Sequence, residues 1–136
     1  MGKAFKRLEG PTDLISSAQG ITNSYVDLGG EIVMEEFRYF GLWVDYTVGT
    51  STNIEFRAIQ KHGSDHADEF SSQIETVGAS ATLLEDDIKQ FNVDASGKAL
   101  VIFDTKGLAP YIQIQVKDAA DGSGTIDTAV YTKSNG

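Results

Sequence analysis

From Ile21 onward apolar residues recur at every second position, and this alternation limits the folds open to the chain more than any other feature. Phe40, Leu42, Val44, Tyr46 and Val48 alternate with Gly41, Trp43, Asp45 and Thr47. Ile54, Phe56 and Ala58 alternate with Glu55 and Arg57; Ile112, Ile114 and Val116 alternate with Tyr111, Gln113, Gln115 and Lys117. Successive side chains of an extended chain point to opposite faces, so this pattern buries one face of a strand and wets the other. Ile126, Thr128 and Val130 against Asp127, Ala129 and Tyr131 continue it. Ala99-Leu100-Val101-Ile102-Phe103 is an unbroken apolar run, as expected of a strand buried on both faces.

Turn-forming stretches separate these segments. Gly49-Thr50-Ser51-Thr52-Asn53 suits a hairpin loop joining Phe40–Val48 to the strand that starts at Ile54, since glycine and asparagine tolerate positive φ. Asp94-Ala95-Ser96-Gly97-Lys98 reads as a turn, Phe70–Val77 as a further strand, and Leu83–Phe91 fits helix or irregular strand. Pro11 and Pro110 fall at strand boundaries, where a missing N–H does least harm. The expectation is an all-β protein: an antiparallel β-sandwich or jelly-roll of about eight strands, residues 21–136, with residues 1–20 as an irregular N-terminal arm. The 136 residues suit one domain and are enough to bury a core without a disulfide or structural metal.

Charge and composition narrow the function. A net charge of −9 argues against sequence-independent nucleic-acid binding and against an anionic membrane surface. Lys3, Lys6 and Arg7 stand in a first eight residues without an acid, and all 20 acidic residues follow them. A short basic arm on an acidic body could dock onto an acidic neighbour. Absence of cysteine removes disulfides, thiolate metal sites and cysteine nucleophiles. No apolar run approaches the roughly 20 residues of a membrane span, and the first residues carry no apolar core of a secretion signal. The expectation is a soluble protein, first present in a cytoplasm.

The candidate chemical sites are weak. Val116-Lys117-Asp118-Ala119-Ala120-Asp121-Gly122-Ser123-Gly124-Thr125-Ile126-Asp127 holds three aspartates and two glycines between strands. Asp118, Asp121 and Asp127 could offer oxygens to calcium, but the spacing is not that of an EF-hand loop. Asp-Gly and Ser-Gly read as a plain β-hairpin turn. His62 and His66, with Asp65, Asp68 and Glu69, form the densest set of metal-ligand types, but Gly63 and Ser64 place them in a loop. No Gly-x-Ser-x-Gly elbow or phosphate-binding glycine loop is present. Glu35/Glu36 and Asp86/Asp87 are adjacent pairs whose side chains diverge on a strand. No cofactor is implied. The aromatics hold more interest: Phe37, Tyr39, Trp43, Tyr111 and Tyr131 sit opposite to, or offset from, the apolar stripes. They form either a second core layer or an interaction surface.

At this point a resemblance emerges. The segments ITNSYVDLGGEIVMEEFRYFGLWVDYTVGTSTNIEFRAIQKHG and ALVIFDTKGLAPYIQIQVKDAADGSGTIDTAVYTK, within residues 21–133, resemble the small β-sandwich structural proteins of tailed-bacteriophage virions. The shared marks are a strand ending in a Tyr-x-x-Gly turn, a following strand of the Ile-Glu-Phe-Arg-Ala kind, and a Pro-Tyr-Ile-x-Ile-Gln-Val-Lys strand before a glycine-rich turn. His62–Glu69 departs from the pattern. The resemblance implies a non-enzymatic virion protein that decorates or cements the capsid, or sits at the neck or tail. Its partners would be the major capsid protein or other virion proteins. It also implies a homo-oligomer, with a trimer matching local three-fold sites, assembled in the host cytoplasm. Lys3, Lys6, Arg7, Phe37, Tyr39 and Trp43 are the candidate contact residues. The competing expectations are a carbohydrate-binding or adhesin module stacking sugars on Tyr39, Trp43 or Tyr46, and a metal-assisted hydrolase at His62 and His66.

Overall fold

The computed structural model describes residues 7–49, 53–61, 81–83, 89–92, 96–105, 110–118 and 124–136. Within them the chain forms strands β1 (Leu8–Asp13), β2 (Gln19–Gly20), β3 (Val26–Asp27), β4 (Ile32–Val33), β5 (Tyr39–Thr47) and β6 (Asn53–Lys61). They are followed by β7 (Ala81–Leu83), β8 (Lys89–Asn92), β9 (Gly97–Asp104), β10 (Tyr111–Asp118) and β11 (Thr125–Ser134). All pairings are antiparallel. The first sheet runs β1-β11-β5-β9, with β2 also on β11; the second runs β3-β10-β6-β7, with β4 also on β10 and β8 also on β6. The fold is an antiparallel β-sandwich.

The alternation built the core as expected. Phe40, Leu42 and Val44 of β5 and Val101 and Phe103 of β9 face Ile54, Phe56 and Ala58 of β6 and Ile112, Ile114 and Val116 of β10, all buried. Leu28, Met34 and Phe37, from the connections beside β10 and β5, close the same cluster.

Strand partnership differs from the expectation. β5 and β6 are not a hairpin: β5 lies in the first sheet and β6 in the second. The same holds for β10 and β11, which lie in different sheets and so do not pair as the expected hairpin; residues 119–123 between them lie outside the described residues. Consecutive long strands thus alternate between layers, in the manner of a jelly-roll. A turn sequence signals that the chain reverses; whether the next strand lies alongside or about 10 Å away in the facing sheet depends on the layers being assembled.

The segment set apart as an irregular arm is a sheet element from Leu8 onward. Leu8–Asp13 pair with the far half of β11, and Gln19–Gly20 with its near end. Every residue of β1 is exposed, which is why no apolar stripe betrayed it. The register shifts between Glu9 and Thr12. There Gly10 has φ 112°, and a Cβ on it would lie 2.6 Å from the Tyr131 carbonyl oxygen, so glycine is required for the bulge.

A second bulge redirects β11. Ile126 lies opposite Tyr46 and Thr128 opposite Asp45, leaving Asp127 as the extra residue. One inserted residue inverts the alternation beyond it. Ile126 and Ala129 therefore both face the core, Val130 turns outward and Tyr131 inward, against Phe40 with ring centroids 5.1 Å apart. The expected face of Ile126, Thr128 and Val130 is broken at this point.

Candidate interaction surface

Among the described residues, the outer face of the first sheet is set by the β5–β9 register and the β11 bulge. Across β9, β5 and β11 the outward side chains form rows: Lys98–Asp45–Thr128, Leu100–Trp43–Val130, Ile102–Gly41–Thr132 and Asp104–Tyr39–Ser134. Trp43, Leu100 and Ile102 retain 48%, 44% and 54% of their surface exposed. The run Ala99–Phe103 is thus covered on one face only; Val101 and Phe103 enter the core and Leu100 and Ile102 stay in water.

A groove of about 390 Å³ opens over this face, walled by Trp43, Leu100 and Val130 on one side and by Asp45, Lys98 and Thr128 on the other. Asp45 Oδ2 accepts from Lys98 Nζ at 3.1 Å and from Thr128 Oγ1 at 3.3 Å, so the polar wall is internally paired. In the next row Gly41 lets Thr132 come close: a Cβ there would lie 3.1 Å from Thr132 Oγ1. An exposed indole in an amphipathic groove can bind a protein side chain or a flat ring with a polar edge. Sequence reasoning found Trp43 but missed Leu100, Ile102 and Val130. Their signal, apolar residues on both faces of a strand, was the one read as double burial.

The outer face of the second sheet is the opposite case. Tyr25, from the segment leading into β3, donates its hydroxyl to Glu55 Oε1 at 2.9 Å. Its ring lies 3.7 Å from the Arg57 guanidinium and 4.7 Å from Lys117 Nζ. Arg57 Nε donates to Gln115 Oε1 and Gln115 Nε2 to Asp27 Oδ1, each at 2.8 Å. Burial, and then the hydrogen bond to Glu55, hold the Tyr25 phenol well above the usual tyrosine range. Burial lowers the Arg57 guanidinium from its ordinary value. Lys61, 5% exposed, donates to Glu31 Oε2 at 3.0 Å. These groups satisfy one another and lock the β3–β4 segment to the sheet.

The remaining expected contact residues divide. Phe37 is buried, 3% exposed, with Arg7 and Lys133 over its ring at 4.9 and 5.1 Å. It is a core residue under a cationic cover and not a surface aromatic. Arg7 is held by Glu36 and Glu9, so it is part of the fold and not of a free basic arm. Tyr39 is half-buried, with Arg38 stacked at 5.1 Å. Tyr46, Tyr111 and Tyr131 are also partly covered. Lys3, Lys6, Asp121, Asp86, Asp87 and the set His62, Asp65, His66, Asp68 and Glu69 lie outside the described residues, as does the expected strand Phe70–Val77. Asp118 is buried at the end of β10, and Asp127 accepts from Thr47 Oγ1 at 2.5 Å. Among the described residues no three carboxylate or imidazole groups gather as a metal site. Among the described residues no helix is long and apolar enough to cross a membrane.

Comparison with solved structures finds the same β-sandwich fold at low sequence identity. No family model matches it, and comparison with curated proteins finds no relative. It is similar to the crystal structure of the SPBc2 prophage-derived protein YomS, with TM-score 0.50 and 12% identity over 98% of both chains. A structure of infectious bursal disease virus, Gx strain, aligns at TM-score 0.53 and 9% identity over 95% of this chain and 32% of that one. The T13 particle of the same virus aligns at 0.52 and 8% identity, over 94% and 31%. The chain spans about a third of those two viral chains.

Proposed function

We propose that this protein is a non-enzymatic structural component of a tailed-phage virion, a decoration or cement protein that binds the capsid lattice. The observation that carries the reading is the outer face of the first sheet, where Trp43, Leu100 and Ile102 are solvated, while on the second sheet Tyr25, Glu55, Arg57, Gln115 and Asp27 are taken up by one another. An apolar patch of this kind on an acidic domain supports attachment to a partner surface. The sandwich shared with a prophage-derived protein, over nearly the full length of both, fits that setting. Attachment would be geometric: many copies, each with a modest interface, hold a lattice together through multiplicity. The test is mass spectrometry of density-banded particles from the strain that carries the gene. The protein should band with particles and be lost from them in Trp43→Ala. Its presence in the lysate and absence from banded particles would refute the reading.

The groove beside Trp43 favours a second reading, a saccharide-binding module. The indole would take the C–H face of a sugar ring, with Asp45, Lys98 and Thr128 at its hydroxyl edge. Glycan-array binding that disappears in the folded Trp43→Ala variant supports it; no binding by the wild type refutes it.

A further inference from the structure

We infer that β9 is a self-complementary edge through which two copies of this chain pair into one continuous sheet. Of the four sheet edges among the described residues, three are made of short segments laid end to end: β1 with β2 along β11, β3 with β4 along β10, and β7 with β8 along β6. Short, interrupted edge strands are a common means of preventing edge-to-edge association, and β1 adds Pro11, a bulge, Glu9 and Asp13. β9 is neither interrupted nor bulged and has no proline, and its two charges, Lys98 and Asp104, stand near its ends and leave an apolar centre. Its eight residues pair with β5 in eight consecutive registers without a shift, and among the described residues no strand lies on its other side.

The sequence of this edge reads the same in chemistry from both ends. In Lys98-Ala99-Leu100-Val101-Ile102-Phe103-Asp104, an antiparallel copy related by a two-fold axis at Val101 places Lys98 opposite Asp104, Ala99 opposite Phe103, and Leu100 opposite Ile102. Each outward row then continues across the junction. Trp43 and Leu100 of one copy meet Ile102 of the other, covering the two most exposed apolar side chains of the strand. Within each copy, Asp104 already accepts from Arg38 at 2.7 Å and Lys98 pairs with Asp45 at 3.1 Å. Pairing therefore yields a row of alternating charge, Arg38, Asp104, then Lys98 and Asp45 of the second copy. A shift of one residue in either direction would put the apolar pairs of one copy against the opposite face of the other. The two-fold register is thus favoured by both charge and apolar matching.

The inference draws on the same apolar side chains as the virion reading, but its test concerns only what the free protein does in solution, so either can fail without the other. Because the chain contains no cysteine, Leu100→Cys and Ile102→Cys can be made separately and mixed. Cysteines directly opposite one another satisfy disulfide geometry, whereas those offset along the strand do not. Under mild oxidation the mixture should form disulfide-linked dimer several-fold more than either variant alone. Sedimentation equilibrium of the wild type should show the 14.7 kDa chain in monomer–dimer equilibrium. Leu100→Lys, exposed and compatible with the fold, should weaken that equilibrium about tenfold or more. A wild type that is monomeric at all concentrations, a trimer, or equal cross-linking in the mixture and the single variants would overturn it.

Discussion

The inverted alternation after Asp127 makes a prediction that separates the structure from a simple reading of period two. If β11 ran without a bulge, Val130 would share the face of Ile126 and be a core residue, and Tyr131 would be solvated. In the structure Tyr131 packs on Phe40 and Val130 lines the open groove. Tyr131→Ala removes a largely covered ring and its aromatic pair. Full burial of such a ring costs about 3–5 kcal/mol on truncation, and partial exposure brings the expectation to about 2–4 kcal/mol. With an unfolding entropy of roughly 2.1 cal/mol/K per residue, about 3 kcal/mol corresponds to a fall in Tm of about 10 °C for a chain of this length. Tyr131→Phe keeps the ring and should stay within about 1 kcal/mol. Val130→Thr conserves shape and meets solvent, so about 0.5 kcal/mol or less is expected. Urea titrations and thermal melts followed by circular dichroism measure all three. If Val130→Thr proved more costly than Tyr131→Ala, the bulge and the outward groove would both be wrong.

Three further perturbations test other parts of the fold. Gly29 has φ 70°, and a Cβ there would lie 2.3 Å from the Leu14 carbonyl oxygen, so Gly29→Ala should cost about 2 kcal/mol or more in a chemical denaturation. Glu31→Ala leaves the Lys61 ammonium buried without its partner and should cost about 2–3 kcal/mol, whereas the paired change Glu31→Met with Lys61→Met should recover most of it. The raised phenol of Tyr25 means that folding favours its protonated form. Its contribution is complete below an ordinary tyrosine value of about 10 and is lost as pH rises above it. Ultraviolet titration of the wild type against Tyr25→Phe should show the Tyr25 phenol ionising only with alkaline unfolding. Tyr25→Phe should lose less stability between neutral and alkaline pH than the wild type, and an equal loss would exclude Tyr25 as the cause.

What the residues determined by themselves is the local conformation and the facing of each long strand. Phe40, Leu42 and Val44, Ile54, Phe56 and Ala58, and Ile112, Ile114 and Val116 all entered the core their alternation pointed to, because a pleated chain places every second side chain on one face regardless of its neighbours. The all-β class followed from those segments and the turns between them. Partnership was decided elsewhere. That β5 pairs with β11 and β9, and β6 with β10, depends on contacts between residues far apart in the chain, and a turn sequence does not encode which layer receives the next strand. Tertiary structure also decided the candidate surface. Phe37 became core because Arg7 and Lys133 cover it. Asp127 became a bulge because β11 had to match β5. Leu100 and Ile102 stayed in water because the sheet they belong to has a bare outer face among the described residues. An apolar side chain carries the same sequence signal whether it meets a core, a partner or solvent, and only the packing of the layers tells these apart.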